Sequence, residues 1–370
     1  MRILFAGGGT GGHLYPGLAI ARAVQRIDPS IRPLFIGAQR GIERSVLPTT
    51  EFPHELLDLH PLYRSRPWEN WKTLRGAFGS WRSVSRIARD ERPRCVVGTG
   101  GYASGIALAY AATHGVPIVV QEQNSFPGLT TRFFSRYARQ IHTGFPEAAS
   151  RLTPGATTQI CDSGNPIEPP PDPLPERNAA RRAWGFTDAR RVVLVYGGSQ
   201  GSRAINDVVA EWATRGLPEG LGMIWATGQG THADYARHDG GNVRVRPYLA
   251  PVSEAYAATD FAVSRGGAIA TAELCAWGIP PIVVPLPTAA ADHQTSNARA
   301  LAAAGAAELI LQSELTVDRL DASVRALLAD DTLLNRRAEA ARSRARPHAA
   351  AEIARHILEL IGGRLSTRRE

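Results

Sequence analysis

Cysteine, lysine and long apolar runs are all scarce in this 370-residue sequence. The three cysteines, Cys95, Cys161 and Cys275, are far apart and form no CxxC or Cys/His cluster, so the sequence predicts neither a disulfide framework nor a metal site. No apolar run reaches the roughly 18 residues that span a bilayer, and no secretory-signal pattern is visible. These absences argue against a secreted or membrane-spanning protein, and a reducing cytoplasm fits.

The positive charge is carried almost entirely by arginine, because Lys72 is the only lysine. The formal net charge is +8 at pH 7. A basic balance permits nucleic acid, anionic lipid or phosphorylated substrates as partners, and it does not choose among them.

Short β-branched runs alternate with helical patterns in two series, which predicts βαβ units and parallel sheets. The predicted strands are Ile3–Ala6, Leu34–Gly37, Cys95–Gly98, Ile118–Gln121, Gln140–Thr143, Val192–Tyr196, Met223–Ala226, Val243–Val245, Phe261–Val263, Ile282–Pro285 and Leu309–Leu311.

Six prolines within residues 165–175 separate the two series and predict a stiff linker. The sequence therefore predicts an α/β protein with two doubly wound, Rossmann-like domains, at 1–164 and 176–340. A C-terminal helix within 341–370 is expected to pack back on the first domain. Two such sheets facing each other would place the loops after their strands in one cleft, where ligands bind.

The segment GGGTGGH at residues 7–13 joins the first predicted strand to a helix. Its spacing matches the dinucleotide fingerprint, but the second strand ends in FIGAQR at 35–40, without an acidic residue to hold a ribose. A Walker loop is also disfavoured, because His13 stands where lysine is needed. The loop can still present backbone amides to an anion. His13 is then either a base, a hydrogen-bond donor or a simple helix-capping residue.

Two further glycine loops follow predicted strands. The loop GTGGYASG at 98–105 contains Gly100, Gly101 and Tyr102, and is either a second anion-binding loop beside the first or a plain turn. In GGSQG at 197–201, Ser199 is interpreted as a hydroxyl donor to a phosphate at a helix start. A nucleophile elbow served by the Asp–His pair at 292–293, or a plain turn, remains an alternative.

The remaining candidates suit a nucleotide sugar. Glu273, early in a predicted helix, can accept both hydroxyls of a ribose. The loop ADHQTSN at 291–297 offers side chains for sugar hydroxyls, of which Asn297 is as well suited to a structural role. No DxD-like carboxylate pair follows a strand, so charge neutralisation is expected from helix ends and backbone amides. Together these features predict an enzyme that acts on a nucleotide sugar.

A set of motifs occurs in order along nearly the whole chain: GGTGGHLYPG at 8–17, GGYASG at 100–105, EQN at 122–124, GNP at 164–166, GGSQG at 197–201, SRGGA at 264–268 with Glu273, and DHQTSNA at 292–298. This set resembles the MurG family of peptidoglycan N-acetylglucosaminyltransferases. The resemblance implies a GT-B fold, in which two Rossmann-like domains face each other across a cleft. It also implies inverting transfer of GlcNAc from UDP-GlcNAc to the C4 hydroxyl of undecaprenyl-diphospho-MurNAc-pentapeptide (lipid I), which gives lipid II. No cofactor is expected.

The resemblance also implies roles for individual residues. His13 is expected to be the base or to orient the acceptor, Ser199 to hold the diphosphate, Glu273 to bind the ribose, and Leu249 to bind uracil through its backbone. The expected substrate contacts are Thr10, Gly11, Gly12, Asn124, Ser199, Leu249, Ala268, Ile269, Ala270, Thr271, Ala272, Glu273 and Gln294, with Gly100, Gly101 and Tyr102 forming an acceptor loop.

Three positions depart from the pattern of the family. Glu168 stands where arginine is usual, Gln121 where histidine is common, and Ala270 where threonine or serine is common. The change at position 168 puts a donor contact in question, and the change at position 270 removes at most one phosphate contact.

Residues 60–92 combine aromatic and basic side chains, including Trp68, Trp71 and Trp81. This composition suits a lipid–water interface, so the sequence predicts peripheral binding to the anionic cytoplasmic face of the cell membrane and no nucleic-acid partner. An amphipathic helix that packs its tryptophans inward is the alternative. For the function, the alternatives are a related GT-B transferase acting on another lipid or natural product, a UDP-GlcNAc 2-epimerase and a non-catalytic nucleotide-sugar sensor.

Overall fold

The computed structural model describes residues 1–60, 68, 70–198 and 200–362, with only the backbone described at 70–75. The chain divides into two compact units. The N-terminal unit combines Met1–Glu168 with the chain from His348 onward, and the C-terminal unit is Pro169–Pro347. Ser199 and the residues at 61–67 and 69 lie outside the description.

The N-terminal unit contains a seven-stranded sheet with the order β3-β2-β1-β4-β5-β6-β7, and the pairs are parallel. Its strands are β1 (Arg2–Ala6), β2 (Arg32–Ala38), β3 (His54–Leu57), β4 (Cys95–Gly98), β5 (Ile118–Glu122), β6 (Gln140–Thr143) and β7 (Gln159–Cys161). Its helices in this part of the chain are α1 (Gly11–Ile27), α2 (Glu43–Val46), α3 (Asn70–Glu91), α4 (Gly105–His114) and α5 (Leu129–Phe134).

Both faces of this sheet are covered by helices, as is usual for parallel sheets. Successive side chains of a strand point to opposite faces. Ile3 and Phe5 accordingly belong to one apolar cluster, while Leu4 and Ala6 belong to the other.

The C-terminal unit contains a six-stranded parallel sheet with the order β10-β9-β8-β11-β12-β13. Its strands are β8 (Arg191–Tyr196), β9 (Leu221–Ala226), β10 (Val243–Arg246), β11 (Phe261–Ser264), β12 (Pro281–Val283) and β13 (Glu308–Leu309). Its helices are α6 (Arg177–Ala183), α7 (Arg203–Arg215), α8 (His232–Tyr235), α9 (Val252–Ala258), α10 (Ala268–Ala276), α11 (His293–Ala303), α12 (Val317–Ala329) and α13 (Asp331–Arg344). Each sheet is doubly wound, because its strand order reverses beside its first strand, β1 or β8.

The last described helix, α14 (Ala349–Ile361), belongs to the N-terminal unit and packs on α1. Its buried residues Ile353, Ile357 and Ile361 recur every four positions and join the same apolar cluster as Leu14 and Leu18 of α1. The helix ends at Gly362, which adopts the left-handed conformation that favours glycine (φ 67°).

The boundaries between the units fall at Glu168/Pro169 and Pro347/His348. Within the predicted linker, Asn165, Pro166 and Ile167 are buried, and the exposed stretch begins at Glu168. The start of the predicted linker therefore belongs to the N-terminal unit, where the Asn165 side chain is hydrogen-bonded to Gln121 and Gln123. In the part of the chain that the structure describes, no helix is both long and apolar enough to cross a bilayer.

Candidate active site

The first two glycine loops lie side by side at the switch point of the N-terminal sheet. One loop joins β1 to α1 and the other joins β4 to α4, and β1 and β4 are adjacent parallel strands. Ligands of doubly wound sheets bind at this position, beyond the carboxyl ends of the strands. The predicted neighbourhood of the two loops is thus confirmed.

His13 lies in the first turn of α1, where its ring and its backbone oxygen each contact a threonine hydroxyl. Its Nδ1 is 3.1 Å from Thr10 Oγ1, and its backbone oxygen accepts a 2.7 Å hydrogen bond from Thr99 Oγ1 in the second loop. A methyl group built on Gly100 would lie 2.8 Å from His13 Cδ2. The second loop therefore packs against the imidazole, and only glycine at position 100 leaves room for it.

The two loops also contact each other through their backbones. Gly101 has a φ of 73°, and a methyl group there would overlap the carbonyl oxygen of Gly8. Gly9 faces the ring of Tyr102, since a methyl group at Gly9 would lie 2.9 Å from Tyr102 Cε1. The predicted acceptor-loop residues are thus interlocked with the Thr10–His13 turn, in which Gly11 and Gly12 open α1.

Asn124 follows β5 and is positioned by Glu122, a buried carboxylate that the sequence reasoning quoted only as part of a motif. Glu122 Oε1 accepts hydrogen bonds from the backbone nitrogen (3.0 Å) and Nδ2 (3.4 Å) of Asn124. Glu122 Oε2 accepts a 3.1 Å hydrogen bond from the backbone of Gly128. A carboxylate with two bonded oxygens fixes the loop that carries Asn124.

Gln121, at the position where the family commonly has histidine, is part of a buried amide network. Gln121 and Gln123 are hydrogen-bonded through their side chains, and Gln123 Nε2 also donates to the Thr99 carbonyl at 2.8 Å. Asn165 Nδ2 donates to the Gln123 carbonyl at 3.0 Å. An amide at position 121 therefore links the loop after β4 to the segment at Asn165. Glu168, a second departure, is exposed at the edge of the unit.

Glu43 is the acidic residue that the sequence reasoning did not find near the end of the second strand. It lies in α2, five residues beyond the end of β2, and is fully buried. Its Oε1 accepts a 3.0 Å hydrogen bond from the backbone of Ala38, and its carboxylate occupies the space beneath Gly8. The acid thus supports the first glycine loop from below.

The C-terminal unit has a pocket of about 320 Å³ at its own switch point, between the adjacent strands β8 and β11. The pocket is lined by Tyr196, Gly197, Gly198, Gly201, Ser202, Arg203, Arg265, Gly267, Ala270, Leu286 and Gln294. Two helices, α7 and α10, begin at its wall. Their N-terminal backbone amides and dipoles make the pocket favourable for an anion.

Backbone packing also shapes the loop after β8. A methyl group on Gly201 (φ 76°) would overlap the carbonyl oxygen of Thr227 in the loop after β9. Ser202 caps α7, because its hydroxyl accepts a 3.4 Å hydrogen bond from the Ile205 backbone. The expected phosphate ligand Ser199 lies in this loop but outside the described residues.

Arg265 supplies a positive charge to the pocket, and the sequence reasoning missed it. Its Nη1 donates to the carbonyls of Val284 (3.1 Å) and Pro285 (3.0 Å). Its Nη2 donates to Ser202 Oγ (2.6 Å) and Gln312 Oε1 (2.7 Å). All acceptors that the structure shows around this half-buried guanidinium are neutral, and burial lowers its pKa. An uncompensated cation favours an anionic ligand.

Other predicted donor residues differ in their distance from the pocket. Gln294 lines it, and its Oε1 accepts a 3.0 Å hydrogen bond from the Leu286 backbone. Of the predicted segment Ala268–Glu273 at the start of α10, Ala270 lines the pocket, while Ile269, Thr271 and Ala272 complete the first turns. Leu249 lies between β10 and α9 and is partly buried against the neighbouring apolar cluster.

Glu273 and Asn297 bond within the protein. Glu273 Oε2 accepts a 2.9 Å hydrogen bond from the hydroxyl of Tyr256, and burial raises the pKa of Tyr256 well above its usual value. Asn297 is fully buried and donates to the Gly266 carbonyl at 3.0 Å. The structural role considered for Asn297 is confirmed.

Three residues that the sequence separates meet in the N-terminal unit as a cluster of metal-ligand type. His142, Cys161 and His356 bring one ligand atom each to within 4.8 Å of the others. The sequence shows no such cluster, because His356 lies 195 residues after Cys161 and only the fold brings it back. Burial, reinforced by His356, lowers the pKa of His142 to about 3, so its imidazole is neutral at pH 7.

Both halves of the chain match known families. Residues 3–143 match the glycosyltransferase family 28 N-terminal domain, and residues 192–354 match the glycosyltransferase family 28 C-terminal domain. The UDP-N-acetylglucosamine--N-acetylmuramyl-(pentapeptide) pyrophosphoryl-undecaprenol N-acetylglucosamine transferase of Desulforamulus reducens is 35% identical over 98% of this chain and 99% of its own length. The protein of the same name from Chlorobaculum parvum is 39% identical over 97% of this chain and 99% of its own length.

A crystal structure of Acinetobacter baumannii MurG is also similar, with a TM-score of 0.76 and 27% identity over 97% of this chain and 99% of that one. The chain belongs to the MurG family. As a MurG-family protein it is a glycosyltransferase that uses a UDP-sugar, and its two doubly wound units are those of the GT-B fold. The predicted family, enzyme class and fold class are thereby confirmed.

Gly100→Ala is expected to lower kcat for sugar transfer by about 10- to 100-fold, because the added methyl group displaces the His13 imidazole. Gly115→Ala is the matched control, since Gly115 also has a positive φ (68°) and no described atom lies within 4 Å of a methyl group there. Steady-state kinetics of both variants measures the effect. Equal kcat values in the two variants would contradict the packing of His13 against Gly100.

Arg265→Gln is expected to weaken the binding of UDP by about 1.5–3 kcal/mol, roughly 10- to 100-fold in Kd, because the pocket loses its uncompensated cation. Arg265→Lys keeps the charge but loses the planar guanidinium, so its Kd for UDP should lie between those of the wild type and of Arg265→Gln. Calorimetric titration with UDP measures the change, and Arg215→Gln at the exposed end of α7 is the control. An unchanged Kd in a folded Arg265→Gln protein would contradict this role.

Proposed function

We propose that this protein transfers GlcNAc from UDP-GlcNAc to the C4 hydroxyl of undecaprenyl-diphospho-MurNAc-pentapeptide, so that lipid I becomes lipid II. The observation that carries the proposal is the match to relatives named for this reaction, over 97–98% of the chain. The pocket of the C-terminal unit supports the donor half of the reaction, because helix N-termini and an arginine suit a diphosphate.

In this proposal the C-terminal unit binds UDP-GlcNAc. The starts of α7 and α10, with Arg265, hold the diphosphate and stabilise the charge that grows on it as the bond to the sugar breaks. Ser199 donates a hydroxyl to the same diphosphate, Glu273 binds the ribose, and Leu249 binds uracil. Gln294 contacts the sugar from the wall of the pocket.

The N-terminal unit binds the acceptor in this proposal. The interlocked glycine loops, with Asn124 beside them, present backbone amides to the acceptor diphosphate and to the sugar. In the tautomer that carries its proton on Nδ1, 3.1 Å from Thr10 Oγ1, the lone pair of the His13 ring lies on Nε2, which is the atom that acts as the base in this proposal. His13 Nε2 removes the C4 hydroxyl proton while that oxygen bonds to C1 of GlcNAc and UDP leaves, so the anomeric configuration inverts.

The decisive assay incubates the protein with UDP-GlcNAc, with and without a lipid I analogue, and follows UDP and UDP-ManNAc. We expect UDP release only when the acceptor is present. UDP-ManNAc formed without acceptor would instead establish the epimerase, and release only with another acceptor would establish a related transferase.

His13→Ala is expected to lower kcat by about 10²- to 10⁴-fold, the usual contribution of a general base, while the Kd for UDP stays unchanged. His54→Ala, in β3, is the matched control and should keep wild-type kcat. If UDP binding is lost in His13→Ala, or if kcat is retained, the role proposed for His13 is wrong.

We further propose that the N-terminal unit docks on the anionic cytoplasmic face of the cell membrane. Trp68 is 72% exposed and Phe78 of α3 is 64% exposed, with the Arg82 guanidinium 4.5 Å from the Phe78 ring. Trp81 instead packs on Tyr110 and His114 of α4, as the inward-packing alternative predicted for this segment. Trp71 lies in α3, where only the backbone is described.

A second exposed cluster supports the same proposal, and the sequence reasoning missed it. Phe133 and Tyr137 are each about half exposed, and the Arg136 guanidinium lies 5.2 Å and 5.7 Å from their rings. This cluster begins on α5, which contacts α4, and α4 contacts α3. Exposed aromatic rings under arginine suit the interface between lipid headgroups and water.

Replacing Trp68, Phe78, Phe133 and Tyr137 by serine is expected to reduce co-sedimentation with anionic vesicles at least tenfold, because apolar burial and basic attraction are both weakened. Leu174→Ser is the control, since Leu174 is an exposed apolar residue of the C-terminal unit. Undiminished binding by the quadruple variant would refute this docking surface. Equal binding of the wild type to neutral and to anionic vesicles would refute the contribution of the basic side chains.

A further inference from the structure

His142, Cys161 and His356 come from three elements of the N-terminal unit. His142 is in β6 and Cys161 is in β7, and the two are register partners in this parallel pair, so their side chains share one face of the sheet. His356 is in α14, which returns to this unit from the end of the chain. The three ligand atoms lie within 4.8 Å of one another.

Both histidines have a buried ring nitrogen that makes no hydrogen bond within the described part of the chain. His142 is fully buried, its Nδ1 is 2.9 Å from Ser163 Oγ, and its Nε2 has no hydrogen-bond partner among the described residues. His356 Nδ1 is likewise buried without a partner in the described part of the chain. The two rings are stacked, with centroids 5.5 Å apart. Buried polar atoms without partners are costly and need an explanation.

We propose that His142, Cys161 and His356 bind a zinc ion that fastens α14 to the β6–β7 edge of the sheet. Two imidazole nitrogens and one thiolate are a typical donor set for Zn²⁺. The hydrogen bond between His142 Nδ1 and Ser163 fixes the ring and leaves Nε2 for the metal, as outer partners of metal-binding histidines do.

Local movements of the three side chains are needed to form the site. Zinc bonds of about 2.0–2.1 Å to nitrogen and 2.3 Å to sulfur place tetrahedral ligand atoms roughly 3.3–3.6 Å apart. The three ligand atoms lie up to 4.8 Å apart, so the widest pair has to close by up to about 1.5 Å. The His356 ring also has to turn from its stacked position, because the ion lies in the plane of each imidazole that binds it. The thiol proton passes to solvent when the Zn–S bond forms, and a water molecule completes the coordination.

The surrounding charge also favours a cation at this position. Glu352 lies one turn before His356 on α14 and is close enough to Cys161 to add to the effect of burial, which raises the pKa of the thiol. A bound Zn²⁺ offsets both effects by stabilising the thiolate directly.

The test uses the full chain after removal of metal with a chelator, and it adds Zn²⁺ or the spectroscopic substitute Co²⁺. We expect one equivalent of Zn²⁺ to bind and Tm to rise by about 5–10 °C at a free zinc concentration of 100 times Kd. Co²⁺ should give a thiolate-to-cobalt charge-transfer band. Neither readout depends on transferase activity, so failure of the proposed function leaves this test intact.

Cys161→Ser and His356→Gln should each weaken zinc binding at least 100-fold, and Cys161→Ser should abolish the charge-transfer band. Cys275→Ser and His114→Gln are the matched controls and should behave as the wild type. Circular dichroism and Tm measured without metal establish whether each variant is folded. If Cys161→Ser or His356→Gln does not fold, Cys161→Ala is used in its place to remove one ligand of the site. Absence of binding by the wild type, or undiminished binding by folded Cys161→Ser and His356→Gln, overturns the proposal.

Discussion

The close approach of backbone to backbone at the carboxyl ends of neighbouring strands is the constraint on which both candidate sites depend. In the N-terminal unit Gly101 lies against the Gly8 carbonyl, and in the C-terminal unit Gly201 lies against the Thr227 carbonyl. A side chain at either glycine would separate the loops. Because the loops meet in this way, α1 and α4 begin side by side at the strand ends of the N-terminal sheet, and in the C-terminal unit the loop after β8 is fixed where α7 begins at the pocket.

The two units use this common architecture for different chemistry. In the N-terminal unit the second loop packs against His13, and Glu43 fills the space beneath the first loop, so a titratable ring is held in a rigid setting. In the C-terminal unit the loop after β11 carries Arg265, whose acceptors among the described residues are neutral. The first arrangement suits proton transfer and the second suits the binding of an anion.

The sequence was sufficient to predict most of the fold, because the buried parallel strands are apolar runs. It did not predict β3 and β7, which lie at the two edges of their sheet and carry polar residues such as His54 and Gln159. An edge strand has only one neighbour and is less buried, so its apolar pattern is weak.

The candidate site could be predicted where one contiguous motif carries it, as for the glycine loops and Gln294. Arg265 was quoted only within the SRGGA motif, because its importance lies in the neutral acceptors that Val284, Pro285 and Gln312 provide from distant parts of the sequence. Glu43 was missed because it follows β2 by five residues instead of ending it, and the cluster of His142, Cys161 and His356 exists only once α14 has folded onto the sheet.

The return of α14 to the N-terminal unit has a consequence for biosynthesis. The C-terminal unit is inserted within the sequence of the N-terminal one, between Glu168 and His348. The apolar side of α1 is covered by Ile353 and Ile357 only after the whole inserted unit has been synthesised, because both residues follow that unit in the chain. Thus the unit that begins the chain is the last to be completed, and until then its uncovered helix is a site at which nascent chains can associate or chaperones can bind.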